Sequence, residues 1–183
     1  MTKSHSRVLL SIAGLDQPGI VASVTESLAK EGWNLEDATM SILRRYFTIM
    51  VMVAVDSDVT PQQVVAALDH ARQEYALQVE VTVCSDSVEN DDTEFLPWSI
   101  FVHGSDRPGI VHAVASEIFK AGGNIVDLVA RRGGRRGDAV YIMTIRAMIP
   151  SGEPSDMFHD SLSRLAVSEG IDCSARLDSA FIL

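Results

Sequence analysis

Cysteine is nearly absent from this chain: Cys84 and Cys173 stand alone, one near the end of each half, with no CxxC pair and no Cys/His cluster around either. That excludes a disulfide framework and a zinc site of ordinary ligand spacing, and leaves both as small apolar residues near strand ends of a reduced protein. No apolar run approaches the ~18 residues that span a bilayer, and Met1 to Arg7 leads into a strand-like segment without the apolar core of a signal peptide. A cytoplasmic protein with no membrane partner is the expectation. Basic charge is also short. Fifteen Lys and Arg against 25 Asp and Glu leave a net charge of −10, which excludes a general nucleic-acid binder, because phosphate binding needs a basic surface. Catalytic signatures are missing: there is no GxSxG, no P-loop glycine pattern and no Ser or Cys nucleophile beside a histidine at matching positions of the two halves. No enzyme activity, cofactor or metal ion is expected.

What the chain does have is a repeat. Residues 14–37 return at 104–127 at a constant offset of 90, with eleven of 24 positions identical. Gly14-Leu15-Asp16-Gln17-Pro18-Gly19-Ile20-Val21 recurs as Gly104-Ser105-Asp106-Arg107-Pro108-Gly109-Ile110-Val111, and Gly32, Asn34 and Asp37 recur as Gly122, Asn124 and Asp127. Several identities are glycine or polar positions that a hydrophobic core does not demand, so the chain is an internal duplication centred on a loop. With 183 residues it divides into a first domain at 1–84, an acidic linker at 85–94 carrying five acids and no base, and a second domain at 95–183.

Each half reads as strand, helix, strand, strand, helix, strand. In the first, Val8–Ala13 is a strand, Pro18–Glu31 a helix with apolar spacing at Ile20, Val21, Val24, Leu28 and Ala29, and Leu35–Leu43 an alternating strand. Arg44-Arg45 marks a turn, and Phe47–Val55 is almost wholly apolar, as a central strand is. Thr60 caps a second helix with Pro61 at its start and Val64, Val65, Leu68 and Ala71 as its stripe, and Leu77–Val83 closes the half. The second half repeats this with helices at Pro108–Ala121 and Pro154–Ser168, and strands at Trp98–Val102, Ile125–Ala130, Ala139–Ala147 and Ile171–Ser179. Right-handed crossovers then give an α+β fold: two ferredoxin-like βαββαβ domains, each an antiparallel four-stranded sheet with both helices on one face.

The duplicated loop has a defined chemistry. Asp-x-Pro-Gly opens directly into a helix, so the amides of residues 19–21 and 109–111 head a terminus carrying roughly half a positive charge, which attracts a carboxylate. Asp16 and Asp106 are suited to capping these helices, worth about 1 kcal/mol each. Asn34 and Asn124, with Asp37 and Asp127, open the next strand, where a carbonyl and a carboxylate suit an ammonium group; a turn residue after the glycine stop is the other reading of the asparagines. Together the devices suit a zwitterion.

Gly-x-Asp-x-Pro-Gly-Ile-Val, a helix, then Gly-x-Asn-(Leu/Ile)-x-Asp resembles the ACT domain, a small regulatory module of amino-acid metabolism, over nearly the whole chain. With two such units, no attached catalytic domain and the stretch Phe47-Thr48-Ile49-Met50, the chain is most similar to the glycine cleavage system transcriptional repressor family. The resemblance implies ACT units joined side by side, a small amino acid (glycine or serine) as ligand, and action through a regulatory partner protein that itself binds DNA; the small size of each half makes packing of the two halves on each other, or a homodimer, the expectation. It also implies the ligand contacts Asp16, Gln17, Pro18, Gly19, Ile20, Asn34 and Asp37, with Asp106, Arg107, Pro108, Gly109, Ile110, Asn124 and Asp127. Gln17 against Arg107 is the main asymmetry, from which a firmer hold on carboxylate is expected in the second loop.

Three other features have plain readings beside functional ones. Arg131-Arg132-Gly133-Gly134-Arg135-Arg136 and Arg44-Arg45 are solvated hairpins or contacts for an acidic partner. His103 and His112 flank the second loop without the third donor a metal needs. Met50, Met52 and Met143 read as core.

Overall fold

The computed structural model describes residues 5–84, 94–133, 140–152 and 155–178. The chain divides into two compact units, Met1–Glu89 and Asn90–Leu183. The acidic stretch lies outside the described residues except for Glu94, as do Pro154, Ala139, Ser179 and the centre of the arginine hairpin.

In the first unit β1 (His5–Leu15), α1 (Ile20–Lys30), β2 (Asn34–Leu43), β3 (Tyr46–Asp56), α2 (Pro61–Ala67), α3 (Asp69–Glu74) and β4 (Gln78–Cys84) follow in order. The second contains β5 (Phe95–Ser105), α4 (Ile110–Lys120), β6 (Asn124–Gly133), β7 (Val140–Pro150), α5 (Ser155–Glu169) and β8 (Ile171–Leu177). The sheets run β2-β3-β1-β4 and β6-β7-β5-β8, antiparallel throughout. Each unit is the ferredoxin-like plait read from the sequence.

One face of each sheet makes the core. Phe47, Ile49, Val51, Val53 and Val55 alternate along β3 and meet Ile20, Val24 and Leu28 of α1 with Val64, Leu68 and Ala71. The apolar run of β3 is thus buried on one side only: Met50 is 46% exposed, and Met52 is half-buried, so these two are not core residues. Met143 is, at 0% exposure. In the second unit Phe158 packs edge-on against Trp98, ring centroids 5.2 Å apart, over Ile100, Met143 and Ile145.

Local signals explain most boundaries. Thr60 accepts from the Gln63 amide while the Gln63 side chain accepts from the Thr60 amide, a reciprocal cap. The helix it opens breaks at Leu68, giving two short helices where the apolar stripe reads as one. After α1, Trp33 N–H donates to the Leu28 carbonyl at 3.1 Å and Gly32 N–H to Ala29 at 3.0 Å, and Gly123 and Gly122 repeat this after α4. A bulge after Leu35 in β2 recurs after Ile125 in β6. The pairs Leu15 with Tyr46 and Ser105 with Val140 show that the repeat offset grows from 90 to 94 across the second hairpin.

Beyond that hairpin Ala76 corresponds to Gly170. Both are left-handed, with φ of 51° and 58°, a conformation that strains a residue with a Cβ by roughly 1–2 kcal/mol. Ala76→Gly is therefore expected to raise the stability of the first unit by about 0.5–1 kcal/mol after the extra unfolded-state entropy of glycine is subtracted. The urea midpoint checks this, and a lowered midpoint contradicts it. No helix among the described residues is long and apolar enough to cross a membrane.

Candidate functional site

The loop after β1 is held from both ends. Asp16 N–H donates to the Arg45 carbonyl at 2.8 Å, which fastens the loop to the β2–β3 hairpin. Gly19 then takes φ 100° and ψ −15°, left-handed values that make it the cap, so α1 begins at Ile20 rather than at Pro18. Gly109 does the same at φ 97° ahead of α4. Neither helix has a side-chain cap, so Asp16 and Asp106 do not perform the capping expected of them. The first intrahelical bonds, Ser23 N–H to Gly19 and Ala113 N–H to Gly109, are each 2.9 Å. They leave the amides of residues 20–22 and 110–112 ahead of the ladder, where a helix terminus attracts an anion.

A cavity of about 220 Å³ opens beside the first of these loops. Asp16, Gln17, Gly19 and Ile20 line it from the loop, Val21 and Ala22 from the helix, and Met40, Ile42 and Phe47 from the sheet. Ile20 is itself 1% exposed, so its side chain belongs to the core of the unit. Among the described residues the Asp16 carboxylate has no hydrogen bond or ion pair. The Tyr75 hydroxyl stands 2.6 Å from where a Cβ on Gly19 would sit.

Asn34 and Asp37 are elsewhere. Asn34 pairs with Ala54, itself opposite Arg7, whereas the loop follows Leu15; at ~3.3 Å per strand residue the separation is roughly 25 Å. Asn34 is extended rather than left-handed, which excludes the left-handed turn reading of it. Asp37 Oδ1 accepts from the Ala38 N–H at 2.8 Å. Each unit therefore gathers Asp16, Gln17, Pro18, Gly19 and Ile20, or their counterparts, at one end and leaves the asparagine and second aspartate toward the other.

In the second unit the corresponding charges are tied to each other. Arg132 Nε meets Asp106 Oδ2 at 2.7 Å, Arg107 Nη2 meets Glu169 Oε2 at 2.8 Å, and Arg146 Nη2 meets Asp127 Oδ2 at 3.0 Å. Arg107 is thus already engaged by a carboxylate of its own unit, against the firmer hold on a ligand expected from its charge. In the first unit the equivalents of Arg132, Glu169 and Arg146 are the uncharged Ile42, Tyr75 and Met52. Sequence reasoning missed Ile42, Met40, Tyr75 and Glu169; aligning the halves beyond the hairpin exposes the joint exchange of Gln17 and Tyr75 for Arg107 and Glu169.

His103 lies 3.6 Å from Asp172, and both line a separate polar hollow of about 340 Å³ with Ser105 and Ile171. Among the described residues no three His, Cys, Asp or Glu side chains come together to hold a metal ion. Burial pushes the Cys173 thiol up to about 11, so it stays protonated at neutral pH.

Residues 6–82 match the family signature described as ACT domain. A UPF0237 protein of Methanopyrus kandleri is 31% identical over 77 residues, 42% of this chain and 86% of that relative. The crystal structure of an unknown protein from Galdieria sulphuraria is similar at 25% identity and a TM-score of 0.80, covering 96% of this chain and 99% of that one. A proposed glycine cleavage system transcriptional repressor shares the fold at 17% identity and a TM-score of 0.71, over 95% and 98% of the two chains.

Proposed function

Because this chain belongs to the ACT domain family, we propose that it is a non-enzymatic regulatory protein that binds a small amino acid at the loop after the first strand and passes that occupancy to a partner protein. The loop geometry carries the reading: uncapped helix amides, an unpartnered Asp16 and a 220 Å³ cavity occur together. A carboxylate suits the amides, and an ammonium group suits Asp16. The resemblance to the repressor family makes glycine and serine the first ligands to test, transcriptional control of amino-acid metabolism the setting, the cytoplasm the location, and a DNA-binding activator the partner, with no direct contact to nucleic acid. Asn34 and Asp37 lie too far from the loop of their own unit to serve it, and a homodimer completes the reading. Ligand bridging then shifts the arrangement by its differential affinity, commonly about 1–3 kcal/mol.

A thermal-shift screen of the proteinogenic amino acids at millimolar concentration tests the reading, since a bound ligand stabilises in proportion to the logarithm of its excess over Kd. At least one is expected to raise the melting temperature; no shift with any of them defeats the proposal. Removing the ammonium acceptor by Asp16→Asn is expected to weaken binding roughly 10- to 30-fold, near 1.4–2 kcal/mol, as for a charge-assisted hydrogen bond at an exposed site. Asp106→Asn, made at a carboxylate already held by Arg132, is expected to change affinity less than threefold, the small effect an exposed pair allows. Titration calorimetry on both variants compares them.

A second reading is favoured by β2, whose ten residues are all exposed and include Leu35, Met40, Ile42 and Leu43. Such an edge suits a ligand-independent interaction module. Partner affinity unchanged by any amino acid would support that reading over sensing.

A further inference from the structure

The two loops share a backbone and differ in their walls. In the first, the sheet side of the cavity is Met40, Ile42 and Phe47; the matching positions of the second are Ala130, Arg132 and Tyr141. Met40 and Ile42 are 52% and 48% exposed, an unusual position for two large apolar side chains on adjacent same-face sites of a strand. They flank an opening of about 220 Å³, several times the ~30 Å³ that one water takes in the liquid. Glycine or serine would fill little of that space and leave this wall wet.

We propose that the first unit's cavity is by itself the receptor for an α-amino acid with an apolar side chain of the size of methionine or leucine, Asp16 taking the ammonium group and the Met40–Ile42 wall the side chain. In the second unit the matching loop is closed to such a ligand by its own ion pairs. The inference rests on the amino-acid-binding reading and narrows it to one site and one ligand class. Carboxylate, ammonium and side chain each meet a suitable group within one cavity: the amides of residues 20–22, Asp16, and the apolar wall. The second unit offers the same amides, but Arg132 replaces the wall residue and sits on Asp106 at 2.7 Å. One exchange thus removes the apolar surface and the ammonium acceptor together. The register supports this equivalence, since Ile42 pairs with Phe47 as Arg132 pairs with Tyr141.

Calorimetric titration of the full chain with L-methionine, L-leucine, glycine and L-serine tests it. Methionine or leucine is expected to bind at least ~10-fold tighter than glycine or serine, the scale on which added methylenes are discriminated in an apolar pocket. Ile42→Arg, which transplants the second unit's closure, is expected to abolish binding with the ligand-free melting temperature preserved. If that variant fails to fold, Met40→Ala at the neighbouring exposed position is expected to weaken methionine binding several-fold instead. Equal or tighter binding of glycine or serine overturns the inference and leaves amino-acid sensing standing. Methionine binding that survives both substitutions also overturns it, and no binding by any amino acid overturns both.

Discussion

Gly19→Val is expected to destabilise the first unit by about 2–4 kcal/mol and to abolish ligand binding at its loop, whereas Gly109→Val is expected to destabilise the second by about half as much. Both glycines hold a left-handed conformation, φ 100° and 97°, which strains any L residue by roughly 1–2 kcal/mol and a β-branched one more. At Gly19 a Cβ would also lie 2.6 Å from the Tyr75 hydroxyl, while at Gly109 nothing stands within 4 Å. The Tyr75 ring packs against the first core, so its retreat from valine loosens apolar contacts. The left-handed backbone angles therefore make these substitutions a cost to the fold as well as a block of the loop. The chain has two tryptophans, Trp33 packed on one core and Trp98 buried in the other, so urea midpoints followed by fluorescence in Trp33→Phe and Trp98→Phe backgrounds read each unit separately. Equal losses at the two positions would remove Tyr75 from the explanation.

Phe158→Ala carries the largest expected stability loss, about 3–5 kcal/mol, the usual range for deleting a buried aromatic ring with partial collapse of the cavity. Phe158 is 2% exposed and meets Trp98 edge-on at 80°, a geometry worth about 0.5–1.5 kcal/mol beyond the area buried. The loss is expected in the second unit's transition with the first unit's midpoint unchanged, since Phe158 belongs to one core only. A loss under 1.5 kcal/mol would mean that α5 repacks over the gap, which the well-filled surroundings of Ile100, Met143 and Leu162 oppose.

The order of elements was legible because it rests on local patterning. Alternation in β2, helical spacing in α1, and Thr60 with Pro61 each state their structure within a dozen residues, and the repeat says everything twice. Boundaries at glycine were not. Pro18-Gly19 reads equally as the first turn of a helix or as a turn ahead of it, and only the sign of φ at Gly19 decides. The uncovered side of β3 was also hidden, since Met50 and Met52 are apolar whether or not anything lies over them.

The site was legible in its loop and illegible in its surroundings. Asp16, Gln17, Gly19 and Ile20 come from the motif and do line the cavity. Met40 and Ile42 come from a strand that reaches the loop only through sheet register, and nothing local connects them to it. The ion pairs of the second unit are likewise long-range: Arg107 and Glu169 are 62 residues apart. Charge at a motif position therefore does not predict availability. Arg107 adds a cation to the loop, and the fold supplies the anion that occupies it.

The bulge after Leu35 and its double after Ile125 fix the parity of every residue downstream, because strand side chains alternate and one extra residue exchanges the two sides. Without it, Met40 and Ile42 would change sides with Thr39 and Ser41. Duplication therefore handed both descendants the same set of addresses, and later substitutions could rewrite the occupant of an address without relocating it. Ile42 and Arg132 are two occupants of one such address, which is how a pair of siblings with a common skeleton can diverge into a door and a latch.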